Sequence, residues 1–288
     1  MQGPEAQPPS VRAAVGTGAL AVLLTTVLGG IWSGLVIANL ATTPALPWAA
    51  IAMAAILWVT WRYLDGWGPP RRTSLARRRL LRANSMSTEA FGWALAAGML
   101  SVIALMGGWI VLVQIANPPP RALPDFSTDP ALTVATLILM AAVVGAVAEE
   151  AGFRGYFQGV LEGLLPAPAA IAVVCLVMAP EHALTQGFVW TSVLFYLIVD
   201  TVFGVTAYLT GTIIPGIIVH AIGLALFFLV IWPGDPTRLP AADGGADAMF
   251  WLHVGQFVVF GLVALLAFRR LAALKNDRPG TVANHAVA

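Results

Sequence analysis

The chain has a single cysteine, Cys175. It cannot close an internal disulfide, and a multi-cysteine zinc site is excluded. Its setting, Val173-Val174-Cys175-Leu176-Val177, reads as plain buried packing. Charge is equally scarce: 10% of residues are Asp, Glu, Lys or Arg, against 59% hydrophobic, with mean hydropathy +0.83. Long apolar stretches of this kind are transmembrane helices rather than the core of a soluble domain. No His-Glu-x-x-His, Gly-x-Ser-x-Gly or P-loop pattern is present, so zincin, serine hydrolase and nucleotidase readings lack support. There is no short-period repeat. There is also no pair of broken, inverted segments of the kind transporters use.

What is there is a series of apolar segments. Residues 1–10, with Pro4, Pro8 and Pro9, read as a disordered tail. Spans are expected over about Val11–Ala38, Trp48–Tyr63, Phe91–Ala116, Ala131 into Glu149, Ala167–Leu184, Val189–Leu209, Ile213–Trp232 and Met249–Phe268. The first is too long for the core of a cleaved signal peptide, so it is expected to be retained. The fourth should run on as helix through Tyr156, Phe157 and Val160 to Leu164, because no proline intervenes before Pro166. The fold class is therefore all-α, a polytopic transmembrane bundle of about eight helices. The loop 62–82 carries Arg62, Arg71, Arg72, Arg77, Arg78, Arg79 and Arg82, which puts it on the cytoplasmic side. Beside two membrane spans its partner is the anionic headgroups of the bilayer, not nucleic acid. A proline-rich outer loop follows Asn117, and a Gly/Pro/Asp loop covers 233–247. Arg269, Arg270, Lys275 and Arg278 follow the last span, so both termini are expected in the cytoplasm. The chain divides into a tail (1–10), N-terminal spans (11–130), a central unit (131–232), an outer loop with the last span (233–270) and a C-terminal tail (271–288).

The stretch Ala148-Glu149-Glu150-Ala151-Gly152-Phe153-Arg154-Gly155 interrupts this pattern. Each charge at bilayer depth costs about 2.5–3.5 kcal/mol, so three together point to a function, the alternative being that Glu149 opens a wet surface helix just outside the lipid. On a helix, Glu150 and Arg154 are four apart and share a face, which suits a structural ion pair. Glu149 is turned away from that pair and left free to act as general base. Gly152, Gly155, Gly159 and Gly163 read as packing glycines. His182 and His220 also lie in apolar segments, as does Asp200, which suits either the same site or a structural pair. His253 reads as interfacial and His285 as incidental. Three chemistries use such residues. Water can be activated by Glu149 and His182, with an oxyanion held by His220. A metal can assist hydrolysis. Or the acids and histidines relay protons in a transporter.

The order Glu-Glu-x-x-x-Arg, then His182, then Tyr208-Leu209-Thr210-Gly211-Thr212-Ile213-Ile214-Pro215 leading to His220, resembles the CAAX protease and bacteriocin-processing (CPBP, or abi) family. That family includes the eukaryotic Ras-converting CAAX endopeptidase. The resemblance covers about Ala131–Leu226. It implies an intramembrane endopeptidase cleaving a peptide or membrane protein near the cytoplasmic face. Glu149 would be the base, His182 its partner and His220 the oxyanion donor, with Glu150 and Arg154 shaping the site. It implies zinc on Glu149, His182 and His220 if any metal is bound; a metal-independent Glu/His mechanism fits equally. Two positions depart from the family pattern. Met178 replaces a Phe, beside which Glu181 adds an acid next to His182. Leu224 stands where an Asn or Asp follows His220. Losing one oxyanion donor costs about 10²–10³ in rate; Glu181 and Asp200 are the polar residues available to stand in. The alternatives are an impaired relative serving as a membrane scaffold or immunity protein, and a proton-coupled transporter. The Ala/Gly/Arg-rich composition points to a bacterial plasma membrane, where prenylated substrates are not expected. The terminal His285-Ala286-Val287-Ala288 is no CAAX box.

Overall fold

A computed structural model describes residues 10–116, 126–186 and 190–276. The expectations for the tail before Ser10, the loop 117–125, Arg278 and His285 lie outside the described residues. The elements are α1 (Val11–Thr42), α2 (Trp48–Leu64), α3 (Ser74–Leu81), α4 (Thr88–Ala116), α5 (Ala131–Glu149), a π-helical stretch (Glu150–Phe157) and α6 (Gln158–Leu161). After these come α7 (Ala167–Gln186), α8 (Trp190–Thr210), α9 (Ile214–Leu226) and α10 (Ala248–Asn276). No strand occurs among the described residues.

Six helices are long and apolar enough to cross a membrane: Val11–Thr42, Thr88–Ala116, Ala131–Leu161, Thr191–Thr210, Ile214–Asp235 and Ala248–Asn276. Two shorter apolar helices, Trp48–Leu64 and Ala167–His182, occupy the places of the other two expected spans. The chain is an integral membrane protein. Large apolar side chains such as Leu23, Trp251, Leu262, Leu265 and Leu266 point outward, where hydrocarbon covers them.

Local chemistry sets the element ends. The Ser10 hydroxyl caps α1 by accepting from the Ala13 N–H at 3.2 Å. Fully buried Asn39 ties α1 to α2: its amide donates to the Thr43 and Leu46 carbonyls at 3.1 and 2.9 Å and accepts from the Ala49 N–H at 2.8 Å. Three backbone groups in the turn are thus satisfied where lipid offers no partner. Between α8 and α9, Gly211 takes φ +70°, a conformation that costs glycine nothing.

The arginine-rich loop is more structured than its composition suggests. Arg77 is buried and donates to the carbonyls of Tyr63, Trp67 and Gly68 at 2.8, 3.0 and 3.0 Å and to the Thr73 hydroxyl at 2.6 Å. Arg82 bonds the Ala207 carbonyl at 3.0 Å and pairs with Glu162 at 3.1 Å. Both are therefore structural. The exposed cations of the loop are Arg62, Arg71, Arg72, Arg78 and Arg79.

The core is built around the π-helical stretch. Phe153 and Phe157 pack with Ala21 of α1 and with Val174 and Met178 of α7. Ala151 and Tyr156 pack with Leu81 and Ile213. Val102, Phe203 and Val219 join α4, α8 and α9. Gly152 meets Ala21, and a Cβ on Gly155 would lie 2.8 Å from the Leu81 carbonyl oxygen. These glycines are packing glycines. Because the obstacle at Gly155 is backbone, Gly155→Ala should destabilise the fold by about 1–3 kcal/mol, read as a lower unfolding midpoint in detergent.

Candidate functional site

The π-helical stretch turns its charged residues inward. A π-helix closes i→i+5 hydrogen bonds, a rare geometry that recurs at functional sites. Every residue from Glu150 to Gln158 is buried. Arg154, fully buried, places Nη2 2.8 Å from Asp200 Oδ1 on α8, while its Nε is 3.8 Å from Glu150 Oε1. The ion pair read from the sequence is present, but Asp200 is the nearer partner. Breaking the regular helical register moves Arg154 off the simple four-residue alignment with Glu150.

Glu150 reaches the other way, to His220 Nδ1 at 3.1 Å. It passes over Gly216, where a Cβ would come within 2.7 Å of Glu150 Oε2. His220 Nε2 in turn lies 3.8 Å from Glu149 Oε2. The ring is stacked on Phe203, with centroids 4.3 Å apart. His182 Nε2 lies 3.8 Å from Asp200 Oδ1, and its ring stacks on Tyr196 at 4.2 Å. Glu181 accepts a hydrogen bond from Thr25 of α1.

Glu149, His182 and His220 line one cavity of ≈ 390 Å³, together with Glu181, Asp200 and Leu224. The three residues singled out in the sequence are thus brought around one space, although they come from α5, α7 and α9. Glu149 Oε2 and Asp200 Oδ2 are buried and have no hydrogen-bond partner among the described residues. In the absence of any other partner, such acceptors are satisfied by water or ligand. The rest of the wall is mostly apolar and includes Trp32, Trp109, Phe195 and Phe227. Leu224 faces this space beside Gly145, where a Cβ would lie 3.1 Å from its Cδ1.

No group of three or more His, Cys, Asp or Glu side chains is gathered for a metal among the described residues. Glu149, His182 and His220 share a cavity but, as they stand, do not form a three-ligand set suited to zinc. Cys175 is buried and unpaired, 3.6 Å from the Thr201 hydroxyl. His253 is away from the site, with Nδ1 3.0 Å from Gln256 Oε1 on its own helix.

The sequence reading missed Thr25, Tyr196, Phe203 and Gly216. Tyr196, Asp200 and Phe203 follow i, i+4, i+7 spacing and so lie on one face of α8; that signal was present. Nothing local marks Thr25, whose contact is made across the fold.

Residues 131–226 match the family model described as type II CAAX prenyl endopeptidase Rce1-like. No curated protein and no solved structure matches the chain.

Arg154 is the one cation that Glu150 and Asp200 share. Arg154→Met should leave both carboxylates uncompensated and cost about 3–5 kcal/mol, read as loss of folded protein in a detergent thermal scan.

Proposed function

We propose, from the match of residues 131–226 to the Rce1-like family model and from the site geometry, that this protein is an intramembrane endopeptidase using Glu149 as general base. The observation that carries this reading is Glu149 Oε2, buried with no hydrogen-bond partner among the described residues and 3.8 Å from His220 Nε2, in a cavity that His182 also lines. A water seated there loses its proton to Glu149 as its oxygen attacks the peptide carbonyl. His182 helps orient that water from across the cavity. His220 Nδ1 is held by Glu150, and its Nε2–H faces the cavity and stabilises the oxyanion. The proton on Glu149 then passes to the leaving nitrogen, the C–N bond breaks, and a carboxylic acid and an amine are released. Glu150 and Arg154 hold the frame. No step requires a metal.

The substrate is a peptide or membrane protein segment, since the wall around the polar groups is apolar. The central unit, about 131–232, carries the chemistry. Exposed Arg62, Arg71, Arg72, Arg78 and Arg79 suit anionic headgroups on the cytoplasmic side of a bacterial plasma membrane, with both termini on that side.

Glu149→Gln removes the base without changing shape. It should abolish cleavage of quenched fluorescent peptides in reconstituted vesicles while leaving the unfolding midpoint near wild type. A variant that still cleaves at the wild-type rate would sink this mechanism.

Leu224 favours a second reading, an impaired relative acting as a scaffold, because it puts an apolar side chain where a donor is expected. If the missing donor limits the rate, Leu224→Asn should raise kcat by about 10²–10³-fold. A wild type and a Leu224→Asn variant that are both inert against the peptide panel would favour the scaffold.

A further inference from the structure

Asp200 is nearly fully buried on a membrane-crossing helix, and its carboxylate is not used up by Arg154. Its Oδ1 sits 2.8 Å from Arg154 Nη2 and 3.8 Å from His182 Nε2, while Oδ2 is buried with no hydrogen-bond partner among the described residues. A counter-ion alone would need only the first contact. One turn earlier on α8, Tyr196 stacks on the face of the His182 ring, with centroids 4.2 Å apart and planes 20° from parallel. Residues four apart on a helix share a face, so Tyr196 supports the plane of the ring while Asp200 faces its edge. Phe203, three residues beyond Asp200, does for His220 what Tyr196 does for His182. One face of α8 is therefore a holder for both histidines. The proton position on a histidine ring is set by the partner that one of its nitrogens finds.

We propose that Asp200, clamped by Arg154, is the positioning residue for His182: its carboxylate, 3.8 Å from Nε2, draws the ring proton to that nitrogen by charge and so fixes which ring nitrogen carries it and how the ring faces the cavity. This rests on the peptidase reading for its catalytic consequence, but not for the ring geometry itself. Asp200 touches no substrate; it acts through His182. Arg154 holds the carboxylate through Oδ1 and itself lines no part of the cavity.

The test uses the full-length protein in detergent micelles, labelled with ¹⁵N-histidine, with His182 assigned by comparison with His182→Gln. The neutral His182 ring is expected to carry its proton on Nε2. In Asp200→Asn the amide oxygen can still accept from Arg154 while the amide N–H₂ faces His182, so the proton should move to Nδ1. Alongside, kcat on the cleaved fluorescent peptides, referred to folded protein because losing the counter-ion of Arg154 lowers the unfolding midpoint, should fall about 10²–10⁴-fold with little change in KM. Asp200→Glu, which keeps the charge, should recover part of the rate. A wild-type His182 found protonated on Nδ1 overturns the proposal without any variant, and so serves even if Asp200→Asn fails to fold. An Asp200→Asn protein with unchanged tautomer and unchanged kcat also overturns it, leaving Asp200 as a counter-ion. If the wild type cleaves nothing, the peptidase reading falls, while the tautomer measurement still decides whether Asp200 holds the ring.

Discussion

Arg154 is a fully buried cation, and the rest of the site follows from that. A buried charge is tolerated only when paired and hydrogen-bonded. The pairing here is divided between two helical elements: Asp200 on α8 lies at 2.8 Å, and Glu150 at 3.8 Å within the same π-helical stretch. Each carboxylate then extends toward a different histidine, Glu150 to His220 and Asp200 to His182. One guanidinium thus sits at the centre of an arrangement that spans α7, α8 and α9. Removing it would disturb both histidines at once, even though it lines no part of the cavity.

The surrounding apolar packing makes this arrangement stiff. Phe153 and Phe157 flank Arg154 in sequence and anchor the π-helical stretch against α1 and α7. On the α9 side, Gly216 leaves room for Glu150 to reach His220. Phe203 serves two purposes, packing with Val102 and Val219 while stacking on His220. Low dielectric surroundings strengthen each polar contact and raise the cost of misplacing one. The site is therefore specified as much by where side chains cannot go as by what they bond.

The membrane character, the helical class and the inward-facing Glu-Glu-x-x-x-Arg stretch were legible in the sequence because each rests on composition or on short spacing. Long apolar runs locate helices without reference to any neighbour. The joint role of Glu149, His182 and His220 was suggested by their place in apolar segments and sharpened by the family resemblance, but their meeting could not be read locally, because three helices must pack before those residues meet. The partner of Arg154 was harder to read. Helical spacing pointed to Glu150, whereas the π-helical register and the approach of α8 favour Asp200. The arginine-rich loop misled in a similar way. Seven arginines look alike in a sequence, yet Arg77 and Arg82 serve backbone carbonyls and an internal acid.

The cavity is not enclosed by the family-matched segment alone. Residues 131–226 supply the acids and histidines, but Thr25 and Trp32 of α1 and Val102 and Trp109 of α4 complete the wall. Trp109 is itself tethered from outside that segment, its indole N–H donating to Asp235 at 2.8 Å. The wall is thus shared between the family-matched segment and helices outside it. Substitutions in α1 and α4 can therefore reshape the chamber without touching any of the acids and histidines that line it.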